Sequence, residues 1–268
     1  MSDNKNQKIL FFDIDGTLIT DDGKRTFPES AKRAIKQARQ NGHLTFINTG
    51  RTFENVDAFI REAGFDGYVC GCGTYIVVDD KELYHHKLTQ KRCVEIAELA
   101  RKCKIQGIFE QAGQTCYDKD NVLKEADYLI DYFRRMGRTL VDDIYDEAFL
   151  FDKFTAWYKE GVTDIQTFMD GLPDFDFIDR EANFYEVVPK GFSKAHGIKY
   201  LLDYYQLPIE NAYVFGDSNN DLEMLQFVPN SIAMGVCTPE VKAIAAYQTS
   251  RVEDDGIMRA MQHFGIIE

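Results

Sequence analysis

No apolar run in the 268-residue sequence approaches the roughly 18 residues that a bilayer-crossing helix needs. The polar start, Met1-Ser2-Asp3-Asn4-Lys5-Asn6-Gln7, lacks the apolar stretch of a secretory signal. Proline is scarce at 6 residues and 44% of the chain is hydrophobic, which excludes a collagen-like repeat and wholesale disorder. Basic charge is also in deficit: 31 Lys and Arg against 44 Asp and Glu leave a net charge of −13. Sequence-independent nucleic-acid binding rests on many Lys and Arg contacts to phosphates, so that class is disfavoured. A small phosphorylated molecule is not, because a few local donors and a metal suffice for it. The six cysteines, at 70, 72, 93, 103, 116 and 237, are too scattered for a disulfide framework, and Cys70-Gly71-Cys72 has no second pair to complete a zinc site. The expectation is a soluble, cytoplasmic globular protein with reduced thiols and no membrane or nucleic-acid partner. Its length allows one large domain or two modest ones.

What is there is a strand and helix rhythm. Residues 8–12 form a short apolar β-type run, and Pro28 opens a helix with Ala31, Ala34, Ile35 and Ala38 at helical spacing, ended by Asn41-Gly42. Residues 44–47 and 68–70 read as buried strands, with a helix carrying Val56, Phe59 and Ile60 between them; 75–78 and 83–85 read as a hairpin. Over 87–186 the rhythm changes to helices at 89–103, 123–135 and 164–169, beside strands at 105–111, 114–118, 151–158, 174–179 and 183–188. The first rhythm then returns, with a helix at 194–205, a strand at 212–215, a helix at 221–227, a strand at 231–234 and two final helices. The pattern predicts an α/β fold with a doubly wound parallel sheet, built from 1–86 and 187–268 and interrupted by an α+β module at 87–186.

Ligands in such a sheet sit at the carboxyl ends of the strands. Those ends carry Asp13-Ile14-Asp15-Gly16-Thr17, then Asn48-Thr49-Gly50-Arg51, then Gly216-Asp217-Ser218-Asn219-Asn220-Asp221, with Gly191-Phe192-Ser193-Lys194 at a helix start. Any one of these aspartates alone reads best as a helix cap or turn residue. Gathered together, unpaired carboxylates repel and demand a cation; an all-oxygen site with room for phosphate suits Mg²⁺, and an aspartate beyond the metal's needs can serve as a nucleophile. Elsewhere, His85-His86 should point to opposite faces of a hairpin in packing or surface roles. The aromatic residues Tyr128, Tyr132, Phe133, Phe149, Phe151, Phe154, Trp157 and Tyr158 read mostly as core.

The four strand-end motifs resemble those of the haloacid dehalogenase superfamily, and in particular its Cof-type hydrolases with a large α/β cap. The resemblance covers the whole chain, with Asp13 to Thr17 and Gly216 to Asp221 its most specific parts. It implies a Rossmann-like core, an inserted cap, Mg²⁺ and phosphoryl transfer to a small phosphorylated metabolite such as a sugar phosphate or a phosphorylated cofactor. Carried over residue by residue, it makes Asp13 the nucleophile and Asp15 the general acid and base. It gives the metal to Asp13, Asp217 and the Asp15 backbone carbonyl. The phosphoryl group goes to Thr49, Lys194, Asn220 and the amides of Ile14 and Gly50. Asp221 supports the metal shell, and Arg51 either contacts phosphate or braces the cap. A phosphomutase shares this chemistry; a non-catalytic phosphometabolite-binding regulator is expected to have lost Asp13 or Asp15. The chain departs from the branch twice, with Cys72 where an Asn is usual and Val236-Cys237 where Asn-Ala is usual.

Overall fold

The computed structural model describes residues 6–180 and 183–268 and, at residues 125 and 126, the backbone alone. The polar start at residues 1–5 lies outside the described residues. Among the described residues no helix is long and apolar enough to cross a membrane.

In chain order the strands are β1 (Ile9–Phe12), β2 (Leu44–Asn48), β3 (Gly67–Cys70), β4 (Tyr75–Val78), β5 (Lys81–His85), β6 (Gln106–Gln111), β7 (Gln114–Tyr117), β8 (Leu140–Val141), β9 (Lys153–Trp157), β10 (Phe175–Asp179), β11 (Phe184–Pro189), β12 (Ala212–Gly216), β13 (Asn230–Ala233) and β14 (Tyr247–Gln248). The helices are α1 (Glu29–Gln40), α2 (Ala58–Arg61), α3 (Gln90–Cys103), α4 (Lys124–Arg135), α5 (Ile165–Asp170), α6 (Lys194–Tyr205), α7 (Leu222–Phe227), α8 (Pro239–Ile244) and α9 (Gly256–His263). The chain divides into two compact units. The first comprises the residues up to Arg51, Asn55–Tyr84 and Phe192–Glu268; the second comprises Thr52–Glu54 and His85–Gly191. Thr52–Glu54 joins the second unit because the Glu54 N–H donates to the Ala112 carbonyl at 3.3 Å and Arg138 donates to the Glu54 carboxylate at 3.3 Å.

The first unit holds an eight-stranded sheet in the order β14-β13-β12-β1-β2-β3-β4-β5. Strands β14 to β3 run parallel, and β4 turns back antiparallel to β3. Every residue of β1 is buried, because helices cover both faces and leave no side for alternation with polar residues. On one face Ile9 and Phe11 meet Ile198, Leu201 and Leu202 of α6 and Met224 of α7. Tyr213, one residue out of phase with Val214 of that cluster, packs instead on Phe264 after α9, with ring centroids 5.3 Å apart. Connections that cross both faces make the sheet doubly wound, with β1 in the middle and its carboxyl end in the crevice.

The second unit is a six-stranded sheet in the order β10-β11-β9-β6-β7-β8, mainly antiparallel. One face packs Phe109, Phe154 and Val187 against Cys93, Ile96, Ala97 and Ala100 of α3 and Phe168 of α5. On the other, Ile108, Tyr117 and Trp157 meet Ile130 and Phe133 of α4. Most of the expected aromatic core is buried, but Tyr128, edge-on to Trp157 with ring centroids 6.3 Å apart, and Tyr132 are 60% and 46% exposed. His85 takes a packing role, its Nε2 2.7 Å from Asp152 Oδ2 within the second unit. The helix expected around Val56, Phe59 and Ile60 is a single turn. Gly64 at φ +77° follows it closely, so one turn cannot present a full apolar face, and Phe59 is left 39% exposed.

Candidate active site

Strand register brings the motifs together. Phe12 lies opposite Ile47 of β2 and Phe215 of β12, so the next residues, Asp13, Asn48 and Gly216, emerge side by side. The Asp13 N–H still donates to the Phe215 carbonyl at 3.1 Å, which fixes the backbone where the strand ends. Beyond it the chain turns at once. The Ile14 carbonyl accepts from the amides of Thr17, Leu18 and Ile19, and Gly16 adopts φ +79°. Any other residue at Gly16 would be strained there and would drive its Cβ into the Asp217 carboxylate. Thr17 Oγ1 donates to Asp217 Oδ1 at 2.7 Å, tying the first motif to the fourth.

Lys194 opens α6 behind the N-cap Ser193, whose side chain accepts from the His196 amide. Its carbonyl accepts from Asn48 Nδ2 at 3.1 Å, and its buried Nζ lies 2.5 Å from both Asp13 Oδ1 and Asp221 Oδ1. Asp221, fully buried, spends its other oxygen on the amides of Asp217 (2.9 Å) and Ser218 (3.1 Å). Both of its oxygens are thereby engaged, and it holds Lys194 and the fourth loop in place. Asp13, Asp217 and Asp221 nevertheless offer oxygens that all lie within 4.8 Å of one another.

The crowding of charge around the Lys194 ammonium shows in the protonation of Asp13, Asp217 and Lys194 itself. Burial pushes the Asp13 carboxyl up to about 7; Lys194 opposes that shift, while Asp221 and Asp15 add to it. Burial, with the charges of Asp13 and Asp221, pushes Asp217 up to about 8, against the pull of its Thr17 hydrogen bond. Burial alone would lower Lys194, but Asp13 and Asp221 outweigh it and hold the ammonium above its ordinary range. Buried carboxylates that prefer a proton in the absence of a further cation are a donor set suited to one, and an all-oxygen set suits a hard divalent ion.

Asp15 stands apart from that cluster. Its side chain is half exposed and is gripped by the guanidinium of Arg51, with Nε 2.8 Å from Oδ2 and a second, short bond to Oδ1. Arg51 continues to Asp57 (2.9 Å) and to the Asn55 carbonyl (3.2 Å). Asp57 also takes Arg25 at 2.6 Å. Arg25 and Asp57 carry no motif signal; neither spacing nor composition marks them, and only the fold brings them to Asp15. Thr49 is buried after β2 and its Oγ1 accepts the Arg51 amide at 3.2 Å, while Asn220 sits in the turn after β12 with its Oδ1 accepting from Ser218 Oγ at 2.7 Å. Cys72 is buried at φ +55°, a left-handed conformation that Asn tolerates better than Cys. Val236 is 59% exposed and lines a pocket of about 340 Å³ with Gly16, Asp217 and Arg251.

Comparison with known proteins gives this geometry relatives. The family model for haloacid dehalogenase-like hydrolases matches residues 10–261. YkrA of Bacillus subtilis (strain 168), which carries a phosphatase designation, is 28% identical over 267 residues, covering 98% of this chain and 100% of its own. The 5-amino-6-(5-phospho-D-ribitylamino)uracil phosphatase YitU of the same organism is 25% identical, covering 96% and 97%. Among solved structures, the subclass IIB sugar phosphatase BT4131 is 27% identical with a TM-score of 0.79, covering 97% of this chain and 100% of its own.

Proposed function

Since the chain belongs to the haloacid dehalogenase-like hydrolase family and is a phosphatase, we propose that it hydrolyses a small phosphomonoester with Mg²⁺ through an aspartyl-phosphate on Asp13. The observation that carries this reading is the Asp13 carboxylate itself, buried at a strand end with Lys194 2.5 Å away and Asp217 and Asp221 within 4.8 Å. A carboxylate so placed is oriented by its neighbours and shielded from water, as a nucleophile must be.

In the first step an Asp13 oxygen attacks phosphorus, the bond to the leaving oxygen breaks, and Asp15, protonated on an oxygen released from Arg51, gives that leaving oxygen its proton. In the second, Asp15 takes a proton from a water molecule as it attacks the same phosphorus; the aspartyl–phosphorus bond breaks and phosphate leaves. Thr49, Lys194, Asn220 and the amides of Ile14 and Gly50 bind the phosphoryl oxygens, over which the charge of a metaphosphate-like transition state is spread. Asp13, Asp217 and the Asp15 backbone carbonyl are the groups that would hold Mg²⁺, whose positive charge offsets the repulsion between carboxylates and a phosphate dianion. Asp221 keeps Lys194 and the Asp217 loop in position.

Of the relatives compared above, BT4131 is named a sugar phosphatase and YitU a phosphatase of a phosphorylated ribityl compound. A phosphate on a sugar or polyol carbon is therefore the substrate class proposed for this chain. The test is phosphate release from a panel of sugar and polyol monophosphates. Turnover of at least one with Mg²⁺, abolished by EDTA, is expected; undiminished release in metal-free buffer, or release from none, contradicts the proposal.

A further inference from the structure

We propose that Asp57 and Arg25 are positioning residues for the general acid: acting through Arg51, they set where the Asp15 carboxylate points and so how well it protonates the leaving oxygen. The inference rests on the role given to Asp15 above. Three observations carry it.

First, Asp57 stands at the N-cap of α2, where an aspartate ordinarily bonds the exposed amides of the first turn, yet its side chain makes no such bond. It accepts instead from Arg51 at 2.9 Å and from Arg25 at 2.6 Å, both on Oδ2. The local stabilisation of a cap is given up for a contact with two guanidinium groups.

Second, Arg25 is held in place by a built turn. Asp22 Oδ1 accepts from the amides of Lys24 and Arg25, each at 3.1 Å, and from Thr20 Oγ1, while Thr20 Oγ1 accepts the Thr26 amide at 2.9 Å. Arg25 itself adopts φ +50°, where Gly or Asn would be less strained. Its guanidinium lies beside Asp57 and 3.9 Å from Asp15 Oδ1.

Third, Arg51 grips both oxygens of Asp15 and has only its remaining edge for an anchor. Asp57 and the Asn55 carbonyl occupy that edge. A planar guanidinium fixed at one edge fixes the direction of the carboxylate at the other. Without Asp57 the fork can swing, and Asp15 swings with it.

A general acid matters in proportion to the basicity of the leaving oxygen, which separates this role from a structural one. The experiment compares kcat/KM for an alkyl phosphate, glycerol 1-phosphate, and an activated aryl phosphate, p-nitrophenyl phosphate, in wild type, Asp57→Asn, Arg25→Gln and Asp15→Asn. Asp57→Asn is expected to lose about tenfold more on the alkyl than on the aryl ester, with Arg25→Gln shifted in the same direction. Asp57→Asn added to Asp15→Asn should cost nothing further on the alkyl ester, since the positioned group is gone. Equal losses on both esters, or additive losses in the double variant, overturn the proposal and leave the general-acid role standing. No leaving-group discrimination in Asp15→Asn overturns that role and this inference with it. Arg25→Gln, at a surface turn, keeps the test open should Asp57→Asn fold poorly.

Discussion

Replacing Lys194 with Met keeps the length and apolar stem of the side chain and removes only its charge. In the native site the ammonium is buried and lies 2.5 Å from two carboxylates, Asp13 and Asp221, with Asp217 beside them. Deleting one partner of a buried ion pair costs about 3–5 kcal/mol, because the other is left without compensation. For a protein of this size each kcal/mol lowers Tm by about 2–4 °C, so a fall of roughly 6–20 °C is expected. That loss depends on pH, with a sign set by the carboxylates. Asp13 and Asp217 already stand at about 7 and 8, above the unfolded value of about 3.9, and rise further without Lys194. A raised carboxyl contributes stability that is fully present below its unfolded pKa and is lost as pH rises through its folded one. The gap in Tm between wild type and Lys194→Met should therefore be wider at about pH 8 than at about pH 5.5. Scanning calorimetry of both proteins in EDTA reads it. A gap that does not change with pH, or one below about 2 °C, refutes the electrostatic account of the site.

Asp13→Asn should abolish turnover, by about 10⁴-fold or more, without lowering the Tm of the metal-free protein at about pH 8, as measured by phosphate release and circular dichroism. Gly16→Ala must adopt φ +79° and push into the Asp217 carboxylate; a loss of at least about 2 kcal/mol and of about 100-fold in kcat is expected in denaturation and steady-state assays. Mg²⁺ must displace protons from Asp13 and Asp217, so the rise in Tm at saturating Mg²⁺ is expected to be larger at about pH 8 than at about pH 6, and an equal rise at both would contradict the ligand assignment.

The parts of this molecule legible in its sequence are those written in consecutive residues. Strand β1 is an unbroken apolar run because both its faces are buried, and the acids that follow it must fall at the sheet's carboxyl edge. The same holds for Asn48 to Arg51 and for Gly216 to Asp221, so the order of these motifs is legible in the sequence alone. Side-chain convergence is not written that way. Arg25 and Asp57 are separated from Asp15 by turns whose direction depends on one positive φ and one short helix, and nothing in their spacing predicts that they meet. Strand β14 has only two residues, too few to show a period, and α2 has four, too few to show an apolar face. On α4 the burial goes to Ile130 and Phe133, so Tyr128 at the margin beside Trp157 and Tyr132 resemble core residues in sequence and are exposed in the fold.

If phosphate passes through Asp13, the aspartyl-phosphate exists on the protein for part of each turnover. A single-turnover, acid-quenched reaction with an excess of enzyme over a phosphate-labelled substrate, followed by peptide mass spectrometry, tests it directly. The label is expected to appear transiently on the peptide containing Asp13, to decay as free phosphate accumulates, and to be absent in Asp13→Asn. Phosphate formed at the wild-type rate with no label on the protein at any time would contradict it.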